Sequence, residues 1–132
     1  MRYLLDTNIC IYIIKRKPPA VLKKFKTFQI SDLGLSSITL AELEFGVYNS
    51  TYPEQNQEAL NQFLSPLEVV PFDDRAAIEY GRIRASLQKR GLTIGAMDLL
   101  IAAQAKSLGI PLVTNNVKEF KRITGLLLEN WV

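Results

Sequence analysis

Four carboxylates stand where a nucleic-acid or phosphate chemistry could be run. Asp6 follows the apolar run Tyr3-Leu4-Leu5, and Glu42 lies in the first turn after the run Leu33 to Ser37. Asp98 opens the segment that leads to Leu112-Val113, and Glu119 follows that run behind Asn115-Asn116. The residue types that are missing narrow the chemistry further. The chain has no histidine and a single cysteine, Cys10. Ser-His-Asp and Cys-His nucleophile systems are therefore excluded, as is two-histidine acid-base cleavage of RNA. One thiol allows no internal disulfide and no zinc site built from two or more cysteines. Oxygen donors with no nitrogen or sulfur ligand beside them select a hard cation, Mg²⁺ or Mn²⁺. Such an ion activates water and neutralises phosphoryl charge, a second ion about 4 Å away can share the work, and phosphodiester hydrolysis then needs no imidazole.

The elements that must position these acids can be read from apolar runs and caps. Tyr3 to Leu5 predicts a buried strand feeding a helix at Ile9 to Ile14, and Lys15 to Pro19 breaks that helix. Val21, Leu22, Phe25 and Phe28 predict an amphipathic helix over Ala20 to Phe28. A strand at Leu33 to Ser37 and a helix from Thr39 to Tyr48 follow, then a polar loop, a helix from about Glu54 to Leu64 and a strand at Leu67 to Val70. Asp73-Asp74 caps a long helix running to Gly91, and Gly95-Ala96 introduces another that Gly109 stops. Leu112-Val113 is a fourth strand, Asn115-Asn116 caps a short helix, and Leu126 to Leu128 is a fifth strand candidate. Short apolar strands separated by helices predict right-handed crossovers. The expected class is α/β, a three-layer α/β/α fold with a short, mostly parallel central sheet. At 132 residues, 48% of them apolar, the chain can bury one core, so residues 1–132 are expected to form a single soluble domain.

Ligands of a parallel sheet bind beyond the carboxyl ends of its strands, which is where these acids fall. Each also has a plainer structural reading. Asp6 can be a helix N-cap. Thr39 with Glu42 has the spacing of a capping box, and Asn116 with Glu119 repeats it. Asp98 resists such a reading, because Leu99 to Ala103 and Ala105 make its helix apolar nearly all round and a buried carboxylate needs a partner. The net charge is +3, and Lys15 to Lys17, the Arg82 to Arg90 face, and Lys118 to Arg122 supply basic surface for a polyanion. The N-terminus does not read as an export signal, and no run approaches the roughly 18 apolar residues that span a bilayer. A reduced, cytoplasmic compartment and no membrane partner are expected.

Taken together, the segments Leu4 to Asn8, Ser37 to Gly46, Gly95 to Asp98 with Ile101 to Ala103, and Leu112 to Phe120 resemble the PIN-domain ribonucleases, most closely the VapC toxins of type II toxin-antitoxin pairs. They occur in the family's order and run to Glu129-Asn130-Trp131. The resemblance implies an Mg²⁺- or Mn²⁺-dependent endoribonuclease that cuts structured RNA at an exposed loop, with tRNA the commonest substrate class. It makes Asp6 and Asp98 direct metal ligands and lets Glu42 complete the acidic set. Thr7 and Thr114 would orient water or phosphate. Asn116 departs from a pattern that often carries a fourth acid: either Glu119 takes that role one helical turn later, or a second ion is held only with substrate phosphate. The resemblance also implies a homodimer and a cognate DNA-binding antitoxin that blocks the acidic crevice.

Two other readings compete. An aspartyl-nucleophile phosphohydrolase wants a second acid two residues after Asp6, where Asn8 stands. A non-catalytic α/β binding module, either a receiver-like domain or a degraded nuclease, would keep the acids for metal or partner binding alone. Asn116 is the one feature favouring a degraded nuclease.

Overall fold

A computed structural model describes all residues, 1–132. Strands β1 (Tyr3–Leu5), β2 (Leu33–Ser36), β3 (Glu68–Val70), β4 (Leu112–Val113) and β5 (Leu128–Glu129) form one sheet in the order β3-β2-β1-β4-β5. Every pairing is parallel, with Leu4 opposite Gly34 on one side and Leu112 on the other. Parallel neighbours require crossovers, and the helices supply them: α1 (Thr7–Lys15), α2 (Pro19–Phe25), α3 (Ser37–Tyr48), α4 (Pro53–Leu64), α5 (Asp74–Lys89), α6 (Ala96–Leu108) and α7 (Val117–Phe120).

The alternation of side chains along each strand builds two cores, one on each face of the sheet, where the length of the chain predicts one. Leu5, Leu33, Leu35 and Val113 point to one face and pack with Ile9, Cys10, Ile13, Val21, Leu43, Val47 and Leu60 from α1 to α4. Leu4 and Leu112 point to the other face and meet Ile83, Leu87, Leu99, Ile101 and Phe120 from α5 to α7. Successive strands β1, β2 and β3 step outward in one direction, and the chain then returns across β1 to place β4 and β5. Right-handed connections that step in opposite directions must lie on opposite faces, so reversing the direction of travel moves the later helices to the second layer. The three-layer α/β/α class expected from the sequence is the one formed. The reversal sits between β1 and β4, and a crevice opens beyond their carboxyl ends.

Local differences from the sequence reading have tertiary causes. The second helix stops at Phe25 because Phe28 turns back to stack on Trp131 at 4.9 Å and to meet Tyr3 edge-on at 5.1 Å. The last strand forms at Leu128–Glu129 instead of starting at Leu126, since Gly125 turns the chain with φ +81° just before it. No helix is long and apolar enough to cross a membrane.

Candidate active site

The crevice is built first around Asp6. Its backbone N–H donates to Val113 O at 3.0 Å, which fixes it at the junction of β1 and β4. Its side chain caps α1, Oδ1 accepting from Ile9 N–H at 2.9 Å, so the plain capping role is real. A cap is ordinarily exposed, whereas Asp6 is only 3% exposed. Burial pushes its carboxyl up to about 6, hydrogen bonds from the Thr114 side chain and Ile9 act in the opposite sense, and the charges of Asp98 and Glu42 raise it again. Thr114, also buried, bonds through its N–H to Glu129 O at 2.9 Å, and its Oγ1 accepts from Asn116 N–H at 3.0 Å.

Glu42 reaches the same neighbourhood from α3. Thr7 Oγ1 donates to Glu42 Oε1 at 2.5 Å, and Thr39 Oγ1 stands 3.3 Å from Thr7 Oγ1. The capping-box reading of Thr39 and Glu42 is therefore overturned: α3 begins at Ser37, and Ser36 Oγ caps it by accepting from Ile38 N–H at 3.1 Å. Thr39 lies within the helix, is fully buried, and belongs to the lattice that holds Glu42. Its place three residues before Glu42, on the same helical face, is the signal that could have revealed it.

Asp98 occupies the first turn of α6 and is half-buried. The interior character expected of it belongs to the following residues, Leu99 and Ile101 to Ala105, while Asp98 turns to the crevice rim. Burial pushes its carboxyl up to about 6, with further upward pressure from the charges of Glu119 and Glu42. Asp6 is thus the more deeply buried of the two aspartates. Glu119 is held in the opposite sense. Its Oε1 accepts from Gly95 N–H at 2.9 Å and its Oε2 from Asn116 Nδ2 at 2.8 Å. These bonds, the Gly95 one foremost, lower its carboxyl below the ordinary value, and the Arg122 charge adds to the effect.

The second capping box also fails to form. Asn116 occupies the N-cap position of α7 with no side-chain cap, its amide spent on Glu119. A Cβ added to Gly95 would lie 3.9 Å from both Asp98 Oδ2 and Glu119 Oε1, an ordinary contact distance that places Gly95 alongside both acids. Asn115 Nδ2 donates to Tyr12 Oη at 2.9 Å while its buried Oδ1 has no partner.

Neither ion pair of the molecule, Arg75 with Asp73 and Arg82 with Glu79, involves a crevice acid. Asp6, Glu42 and Asp98 repel one another with no cation bonded to them. That all-oxygen set fits a hard divalent cation. The fit is one of donor type and charge, because no three acids converge tightly enough to form a ready-made cage. Two further residues were not singled out in the sequence. Ser36 Oγ donates to Gln104 Oε1 at 3.0 Å, which ties the start of α3 to α6 and hence the helix of Glu42 to that of Asp98.

The sheet order also bears on the receiver-like alternative, since that fold runs 2-1-3-4-5 and this one 3-2-1-4-5. The family model of the PIN domain matches residues 3–126. The ribonuclease VapC2 of Rickettsia felis is 47% identical over 132 residues, covering 99% of this chain and 98% of that protein. The tRNA(fMet)-specific endonuclease VapC of Salmonella typhimurium is 44% identical over 131 residues, covering 99% and 98%. In the crystal structure of Rickettsia felis VapBC2 bound to a promoter DNA fragment, one chain aligns over 100% of both chains with 46% identity and a TM-score of 0.93. With the fold, the crevice and these relatives in agreement, the chain belongs to the PIN-domain family, among the VapC-type toxins of type II toxin-antitoxin systems.

Proposed function

We propose that the protein is a divalent-metal-dependent endoribonuclease that hydrolyses phosphodiester bonds in RNA, with tRNA cut at an exposed loop as its substrate. The observation that carries this reading is the mutual repulsion of Asp6, Glu42 and Asp98 in one crevice without a counter-cation. Asp6 and Asp98 would hold Mg²⁺ or Mn²⁺, with Glu42 completing the set and Glu119 taking the fourth acidic place. When bound, the ion activates water and neutralises charge on the phosphoryl oxygens. The chain's own residues do the positioning. Thr7 aims Glu42 by its hydrogen bond, Thr114 orients Asp6, and Asn116 holds Glu119. The name of the Salmonella relative, a tRNA(fMet)-specific endonuclease, supports tRNA as the substrate class.

The same reading includes a cytoplasmic protein acting as one domain over residues 1–132, a homodimer, and a DNA-binding antitoxin. Relatives seen in complexes with DNA support the antitoxin. A groove of about 300 Å³ beside Glu42, lined in part by Ile11, Ile14, Leu43 and Val47, would seat an apolar antitoxin segment next to the acids. The exposed rings of Phe45, Tyr48 and Tyr52 offer surface for self-association.

The test is cleavage of purified tRNA with and without Mg²⁺ or Mn²⁺, using wild type, Asp6→Asn and Asp98→Asn. Cutting should require the ion and fall by at least about 100-fold in either variant, with a folded protein by circular dichroism. Cutting in excess EDTA would remove the metal reading. Metal binding without cleavage of any RNA would favour the degraded nuclease.

A further inference from the structure

Outside the carboxylate crevice, a cavity of about 390 Å³ opens where α5, α6 and the segment after α7 meet. Its polar lining is Arg82, Arg90, Lys106, Ser86, Thr124 and Glu79. The single acid is already engaged, Arg82 Nη1 lying 3.0 Å from Glu79 Oε1, so two positive charges remain without a partner. Arg90 is held in place by donating from Nη2 to Arg122 O at 2.5 Å. Lys106 forms no ion pair and is half-buried. Its ammonium rests against Gly125, where any Cβ would collide with Nζ and where φ +81° already disfavours a side chain. The glycine thus leaves the position that the lysine head occupies, and the charge is kept at the cavity instead of extending into water.

Two forked guanidiniums, an ammonium and two hydroxyls make a lining composed almost wholly of donors. Such a set matches a tetrahedral oxyanion with several acceptor oxygens better than it matches a carboxylate or an amide. Hydrogen bonds tie the cavity to the segment that carries Glu119. Arg122, whose carbonyl anchors Arg90, bonds through its N–H to Glu119 O at 3.2 Å and sends Nη1 to Thr93 O at 2.6 Å. Arg122, whose charge acts on Glu119, and Arg90, bonded to the Arg122 carbonyl, therefore put positive charge on the side of Glu119 from which the cavity opens.

We infer that this cavity binds a backbone phosphate of the RNA at a point outside the scissile bond. The inference rests on the ribonuclease reading above and assigns that substrate a second contact. Free phosphate or a mononucleotide presents the same chemistry, and the experiment separates these sources.

Full-length protein in EDTA, where no cutting occurs, is titrated with fluorescent tRNA over a range of salt concentrations. Lys106→Gln should weaken binding about fivefold and lower the log-log salt slope by about 0.7, and adding Arg90→Gln should repeat both effects. Lys26→Gln, the same charge loss on a distant surface, should change affinity less than about twofold. Arg90 is exposed, so its single substitution provides a folded variant should the double one fail to fold. In parallel, inorganic phosphate at constant ionic strength should shift the Ser86 and Thr124 amide resonances of wild type and not those of Lys106→Gln. Equal tRNA affinity and salt slope for Lys106→Gln and wild type would overturn the inference. Phosphate-induced shifts combined with unchanged tRNA binding would overturn it too, in favour of a free-phosphate pocket. Wild type that does not bind tRNA at all would bring down the ribonuclease reading itself, whereas wild-type binding with an indifferent cavity removes only the second contact.

Discussion

Replacing Asp6 by asparagine should stabilise the metal-free protein above pH 6 while destroying its activity. The folded protein raises the Asp6 carboxyl from 3.8 to about 6. At about 1.4 kcal/mol per pH unit, keeping it ionised costs about 3 kcal/mol relative to the unfolded chain. Between these two values the folded state binds more protons than the unfolded one, so stability falls as pH rises through that window. The penalty is absent below about pH 4 and complete above about pH 6. Asparagine can still accept from Ile9 N–H, and it caps helices about as well as aspartate, so the substitution removes the charge and little else. Calorimetry in EDTA at pH 7.5 should show Asp6→Asn more stable by about 2 to 3 kcal/mol, or about 10 °C in melting temperature for a chain of this size. At pH 4 the two proteins should melt together. Millimolar Mg²⁺ should then raise the wild type by RT ln(1 + [L]/Kd) and leave the variant unmoved. The reasoning is refuted if wild type is the more stable at pH 7.5, or if the gap persists at pH 4.

Three further outcomes follow from single contacts. Thr7→Val deletes the donor to Glu42 Oε1 and should lower kcat on tRNA about tenfold with a stability loss near 1 kcal/mol, Thr7→Ser restoring both; an unaltered kcat would show that Glu42 needs no such aim. Glu119→Gln removes the largest charge holding the Asp98 carboxyl up, so Asp98 should ionise at lower pH and the acid limb of the pH-rate profile should move down; a limb that stays in place would show that Asp98 does not set it. Ser36→Ala strips the cap from Ile38 N–H and the partner from buried Gln104, and should cost about 1 to 3 kcal/mol by urea unfolding, with a smaller loss showing that water replaces the hydroxyl.

Much of the scaffold was legible because local physics decides it. Asp73 caps α5 by accepting from Ala76 N–H, and Gly109 ends α6 in the left-handed conformation, as their residue types indicate. The short apolar runs became parallel strands because both faces of the sheet are covered. Reading by local motif failed where a distant residue offered a better partner. Thr39 and Glu42 have capping spacing, yet Thr7 from another helix claims Glu42 and Ser36 takes the cap. Asn116 has the same spacing to Glu119, yet the two side chains bond to each other while Gly95 N–H takes the remaining oxygen. The burial argument singled out Asp98, while the deeper carboxylate is Asp6, since its position between β1 and β4 closes it in.

What the chain determines alone is its chemical vocabulary and its layer pattern. With no histidine and one cysteine, any metal site of this chain has to be built mainly from oxygen ligands, and its apolar runs spaced by helices favour a parallel sheet. The tertiary structure alone decided that Asp6, Glu42 and Asp98, from three separate segments, act on one another with no ion pair to any of them, and that Glu119 receives its own donors. Repulsion and hydrogen bonding depend on distance in space, and that distance exists only after the sheet order has carried β4 back beside β1.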